Sequence, residues 1–176
     1  MLQGRKHFPD LTSDRLLKTM GKEIERKFLA KNANWKTVPG TLFRQGYLST
    51  EPSRTVRVRI EGNRAVITIK GLTEGVTRLE FEYEIPTADA EELLNSLCEH
   101  PLIEKHRYKL KHDGLTWEVD EFHGSNEGLV IVEVELESED QSFDRPEWLG
   151  KEVSDDPRYY NASLVKNPFS NWSEIP

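Results

Sequence analysis

Residues 78–85 read Arg78-Leu79-Glu80-Phe81-Glu82-Tyr83-Glu84-Ile85, a charged side chain followed by a large apolar one at every step. Successive side chains of a β-strand point to opposite faces. The stretch is therefore a strand with one wholly ionised face and one wholly apolar face. The same pattern recurs on both sides of it. Glu23, Glu25 and Lys27 alternate with Ile24 and Phe28, and Arg57 and Arg59 with Val56, Val58 and Ile60. Thr68 and Lys70 oppose Ile67 and Ile69, and Lys105, Arg107 and Lys109 share one face. Glu118 and Asp120 oppose Trp117 and Val119, while Glu133, Glu135 and Glu137 oppose Val132, Val134 and Leu136. One face thereby collects ten carboxylates and eight cations from seven strands.

Turn chemistry separates these runs: Pro39-Gly40, Pro52-Ser53, Glu61-Gly62-Asn63, Gly71 to Gly75 and His112-Asp113-Gly114. The expected strands span 23–29, 42–48, 56–60, 65–70, 79–85, 105–111, 115–122 and 129–137. One helix interrupts them, capped at Thr87-Ala88-Asp89, stopped by Pro101, and burying Ala90, Leu93, Leu94, Leu97 and Cys98 at helical spacing. A short capped helix is expected after Ser154-Asp155-Asp156-Pro157.

At 176 residues the chain has the size of a single domain. Its one cysteine, Cys98, excludes a disulfide framework and a thiolate zinc site. No run approaches the 18 or so continuous apolar residues of a membrane span. A net charge of −7 argues against generic nucleic-acid binding. The expectation is a soluble, cytoplasmic domain at 20–176, with residues 1–19 read as a leader or N-terminal extension outside the fold.

On periodicity alone, the simplest arrangement is a curved antiparallel sheet with one solvated face, its charges paired across strands. Two features favour closure. The ionised face is nearly unbroken by Thr, Ser, Gln or Asn, and the apolar face is rich in large residues that need cover from the central helix and the C-terminal segment. Closing about eight strands turns the charged face into a polar lumen. Eighteen ionised groups in a lumen are costly without partners. A polyanion suits the cations, because arginine forks match phosphate oxygens. Clustered carboxylates without Cys or suitably spaced His suit Mg²⁺ or Mn²⁺.

Glu23-Ile24-Glu25-Arg26-Lys27 resembles the E-x-E-x-K signature of the CYTH superfamily, also called triphosphate tunnel metalloenzymes. The resemblance continues in order through Arg44-Gln45-Gly46-Tyr47-Leu48, Val56-Arg57-Val58-Arg59, Thr68-Ile69-Lys70, Glu80-Phe81-Glu82, Glu104-Lys105-His106-Arg107-Tyr108, Glu118-Val119-Asp120, Val132-Glu133-Val134-Glu135 and Arg158-Tyr159-Tyr160-Asn161. It implies an α+β, mostly β fold: a closed eight-stranded antiparallel barrel with helices packed outside. It also implies metal-dependent hydrolysis of inorganic tripolyphosphate to pyrophosphate and phosphate, as in short bacterial inorganic triphosphatases. Under it, Glu23, Glu25, Glu133 and Glu135 hold one Mg²⁺ or Mn²⁺. Lys27, Arg57, Arg59, Lys70, Lys105 and Arg107 hold the phosphate chain, and Lys105 is the general base. Glu80 and Glu82 bind a second metal or position water, and Asp120 orients a neighbouring cation or water. Cross-strand pairing is the competing structural role for the carboxylates, and an exposed place on the sheet is the competing one for the lysines and arginines. Arg44 and Arg158 stay ambiguous. The alternative functions are an adenylate cyclase or thiamine triphosphatase activity in the same tunnel, or a binding module without catalysis. A homodimer is a family-level expectation.

Overall fold

The computed structural model describes residues 24–74, 77–138 and 140–173; the leader assigned to 1–19 lies outside them, as does Glu23. Eight strands follow the eight expected ones: β1 (Ile24–Ala30), β2 (Thr41–Ser49), β3 (Arg54–Glu61), β4 (Arg64–Glu74), β5 (Thr77–Glu84), β6 (Ile103–His112), β7 (Leu115–Phe122) and β8 (Val130–Leu136). A ninth, β9 (Leu149–Glu152), has no counterpart among the expected strands. Helix α1 (Thr87–Ser96) lies between β5 and β6, and α2 (Asn161–Lys166) near the C-terminus.

The strands form one antiparallel sheet in the order β5-β4-β3-β2-β6-β7-β8-β1-β9. The sheet is open, which corrects the closed eight-stranded barrel. Its ends are β5 and β9, and among the described residues these do not pair. At β1 the edge is occupied: β9 pairs with it through Phe28 opposite Glu152 and Ala30 opposite Leu149. Arg26 holds the ribbon in place with a two-pronged bond to Glu152, at 2.7 and 2.5 Å. Gly150 permits the approach, since a Cβ there would meet the Leu29 carbonyl oxygen at 2.7 Å. Nor do the charges need the ligands of a closed lumen to offset their burial, because they find partners across neighbouring strands.

Cover on the two faces differs from expectation as well. Helix α1 packs on the outer, apolar face, where Ala90, Leu94 and Cys98 join Val58, Ile60 and Ala65. It begins at Thr87 with Pro86 as N-cap and ends at Ser96, so Leu97 falls off the helical stripe and is 65% exposed. Farther along that face, Phe28, Trp35, Trp117, Val132, Val134 and Leu149 form a second cluster. The C-terminal segment packs on the opposite face. There Val153, Tyr159, Leu164, Val165 and Phe169 cover Tyr47, Ile103, Phe122 and Ile131. Those four residues share the face of the charged groups, because Tyr47 pairs with Arg57, Phe122 with Lys105 and Ile131 with Asp120, and Ile103 lies two residues before Lys105 on β6. One end of the charged face is thus apolar and closed off.

Candidate active site

The register aligns the expected site residues on one face. Lys27 stands opposite Glu133 and Glu25 opposite Glu135. Arg107 stands opposite Asp120, Arg57 opposite Thr68 and Lys70 opposite Glu80. Two groups of charges result, with β2 between them.

The first group lies on β6, β7, β8 and β1. Asp120 is fully buried and pairs with Lys105, itself 1% exposed. Asp120 also accepts from Arg107 Nε and Nη2, both at 2.6 Å. Arg107 reaches on to Glu118 and, at 2.7 Å, to Glu133. Lys27 Nζ then bridges Glu133 at 2.5 Å and Glu25 at 2.6 Å. The side chains of all four strands are therefore tied into a single network. Burial pulls the Lys105 ammonium below its ordinary range, and Arg107 adds to the effect while Asp120 opposes it. Burial works against Glu133 being ionised, but Lys27, Arg107 and Lys105 outweigh it and hold the carboxyl well below the usual range. Glu25 is the exception: low-dielectric surroundings and the charge of Glu133 raise its carboxyl despite Lys27, although 42% of its side chain stays exposed.

The second group lies on β3, β4 and β5. Lys70 pairs with Glu80 at 2.8 Å, and Arg59 with Glu82 and Glu61 at 3.3 Å each. Glu82 also receives Arg64 at 3.3 Å. Arg57 Nη2 donates to Thr68 at 3.4 Å. The Nε atoms of Arg57 and Arg59 are buried and have no hydrogen-bond partner among the described residues. Burial and the neighbouring Arg57 lower the Arg59 guanidinium from its ordinary value.

Strand β2, from which the sequence reading draws no site residue, joins the groups. Phe43 lies under both guanidinium carbons, 5.7 Å from that of Arg59 and 5.3 Å from that of Arg107. Gln45 is 1% exposed on the same face. The signal is present in the parity of Phe43, Gln45 and Tyr47, but it marks an apolar-leaning strand and gives no charge to follow. Arg44 has the opposite parity and points outward to Glu91 at 2.7 Å and Glu104 at 3.3 Å. Arg158 bonds Asp156 on the surface, and Lys109, 63% exposed, pairs with Glu118.

Three of the four expected metal ligands, Glu25, Glu133 and Glu135, are described. Glu133 is occupied by two cations. Glu25 stands directly opposite Glu135 and, among the described residues, pairs with a single cation, Lys27 at 2.6 Å. Among the described residues no three carboxylates form a ready-made cage. Mg²⁺ commonly takes one or two carboxylates and completes its shell with water and substrate phosphate. The hard oxygen donors of Glu25 and Glu135 fit that use.

An antiparallel sheet that concentrates acids and cations on one face, with arginine donors left open, has the chemistry that suits a polyanion and a hard metal ion. The chain belongs to the CYTH domain family, which it matches over residues 21–161. It is 52% identical over 156 residues to an inorganic triphosphatase of Acetivibrio thermocellus, covering 88% of this chain and all of that protein. It is 40% identical over 147 residues to an inorganic triphosphatase of Nitrosomonas europaea, covering 81% of this chain and 96% of the other. A solved structure of an inorganic triphosphatase superposes with a TM-score of 0.65 at 37% identity, covering 83% of this chain and 95% of that one. Among the described residues no helix is long and apolar enough to cross a membrane.

Proposed function

We infer that the protein hydrolyses inorganic tripolyphosphate to pyrophosphate and phosphate on the charged face of the sheet, with a divalent metal ion, Mg²⁺ or Mn²⁺, as cofactor. The observation that carries this reading is the pair Arg57 and Arg59, whose buried Nε donors have no hydrogen-bond partner among the described residues. They share a face with a network in which Lys27, Lys105 and Arg107 are already held in place by carboxylates. Kinship with inorganic triphosphatases over nearly the whole chain supports the choice of substrate.

The phosphate chain lies along Arg57, Arg59, Lys70 and Arg107, and a bidentate guanidinium fixes two oxygens at once. Glu23, Glu25 and Glu135 would hold the metal, with Glu133 anchoring Lys27 beside Glu25. A divalent ion there would supply charge neutralisation for phosphate oxygens. Lys105 is the general base. Burial, which lowers its proton affinity, favours an Nζ with a free lone pair, and that lone pair takes a proton from the water whose oxygen attacks the terminal phosphorus. The bond from that phosphorus to the bridging oxygen breaks, and pyrophosphate leaves with the electron pair. Asp120 holds both Lys105 and Arg107, which supports a positioning role. Glu80 and Glu82 each hold a cation of the second group, which supports the same role for them in place of a second metal site.

The test is phosphate release from tripolyphosphate, pyrophosphate, ATP and thiamine triphosphate, each with Mg²⁺, Mn²⁺ or chelator, with cyclic AMP assayed in the ATP wells. Metal-dependent turnover that favours tripolyphosphate is expected. Cyclic AMP production, a preference for thiamine triphosphate, or binding without turnover would each replace this reading.

A further inference from the structure

Among the described residues, Gln45 is the one neutral, long polar side chain buried beside the ionised groups of the charged face, and neither the network nor the core uses its amide nitrogen. It stands on β2 between Arg59 of β3 and Ile103 of β6. Lys105 lies two residues beyond Ile103 on the same face, and Arg57 two residues before Arg59. Gln45 therefore stands next to the cations where they adjoin the apolar end closed by the C-terminal segment, to which Tyr47 and Ile103 belong. It is 1% exposed, and its Nε2 is buried without a hydrogen-bond partner among the described residues. A buried amide donor left unpaired destabilises the fold unless something else accepts from it.

Its position is fixed from behind. The next residue, Gly46, faces the outer side, where a Cβ would meet Cys98 Cβ at 2.7 Å and Leu102 Cδ2 at 2.8 Å. The segment that follows α1 thus sits directly on the β2 backbone and holds Gln45 toward the charged face. A cation at position 45 would add repulsion to Arg57 and Arg59, which already crowd each other. A neutral donor supplies a hydrogen bond there without that repulsion, and an apolar residue supplies none.

We propose that Gln45 is a substrate-binding residue whose side-chain amide donates to an oxygen of the bound phosphate chain at the closed end of the charged face. The proposal rests on the triphosphatase reading above. It carries a signature that a structural role lacks: removing the amide relieves an unpaired donor in the free protein and removes a bond in the complex. Stability and affinity should then move in opposite directions.

The experiment compares full-length wild type, Gln45→Leu and Gln45→Glu for tripolyphosphate turnover with Mg²⁺, and for melting temperature with and without tripolyphosphate. Gln45→Leu is expected to melt at or above wild type alone, to gain less from tripolyphosphate, and to raise KM about tenfold, the worth of one hydrogen bond to a charged oxygen, with kcat changed by less than about threefold. Gln45→Glu is expected to raise KM further, because a carboxylate then faces phosphate. A Gln45→Leu chain that turns over with wild-type KM overturns the proposal and leaves the triphosphatase reading standing. So does one that melts below wild type with KM unchanged, which is the mark of a structural residue. A wild type that neither hydrolyses tripolyphosphate nor is stabilised by it overturns the functional reading, and this role with it.

Discussion

Asp120 is the most consequential carboxylate of the site, and its replacement gives the sharpest test of how the network is built. It is fully buried, accepts two bonds from Arg107 at 2.6 Å, and pairs with a Lys105 that is 1% exposed. Asp120→Asn preserves the shape but removes the charge. Arg107 keeps Glu118 and Glu133 as partners, whereas among the described residues Asp120 is the carboxylate that forms an ion pair with Lys105. Stripping one partner from a buried pair costs about 3–5 kcal/mol, because the remaining charge stays desolvated. For a chain of this length each kcal/mol corresponds to about 2–4 °C, so the melting temperature should fall by roughly 6–20 °C. The converse change, Lys105→Met, should cost less, since Arg107 continues to neutralise Asp120. A second readout follows from charge. Asp120 supports the protonated form of Lys105, so its loss lowers the lysine's proton affinity further. The acid limb of the kcat/KM profile should then move to lower pH. Thermal melts of both variants and a pH–rate profile of Asp120→Asn decide the matter. A melting temperature within about 3 °C of wild type for Asp120→Asn, or an acid limb that moves upward, would refute the reasoning.

Three further outcomes are expected. Burial and the charge of Glu133 raise the Glu25 carboxyl, so its protonation stabilises the folded chain more than the unfolded one; that stability is present at low pH and is lost as pH rises through the folded value. Glu25→Gln should therefore melt no lower than wild type at neutral pH in chelator, with the difference vanishing as pH falls, while metal-dependent turnover collapses; a drop of several degrees in chelator would count against it. Arg44→Ala removes an outward, partly exposed pair worth about 0–1 kcal/mol, so kcat/KM should stay within about twofold of wild type. Gly46→Ala forces a methyl against Cys98 and Leu102, and overpacking of this kind costs about 1–3 kcal/mol, read as a lower urea midpoint.

The strands are legible because ionised and apolar residues alternate so regularly, and β5 and β8 announce their two faces without tertiary information. Strand β9 is not, because Leu149-Gly150-Lys151-Glu152 carries no alternation and exists through backbone bonds to β1 and the Arg26–Glu152 pair. That unforeseen strand and the ion pairing across strands separate the open sheet from the expected barrel. Periodicity also assigns Lys105 and Lys109 to one face without distinguishing them, yet one is 1% exposed and the side chain of the other 63%. The difference comes from Phe122, Ile131 and the C-terminal segment that covers them. Gln45 and Phe43 are hidden for a related reason: their roles depend on which strands flank β2, and pairing of β2 with both β3 and β6 is a property of the topology.

A phosphate chain and a metal ion should meet on this face of the sheet. The most direct measurement is a crystal structure with the imido analogue of tripolyphosphate and Mn²⁺, whose anomalous scattering marks the ion. Phosphate oxygens are expected on Arg57, Arg59 and Arg107, with the ion on Glu25 and Glu135. Analogue bound elsewhere on the chain, or an ion away from those carboxylates, would contradict the proposed site.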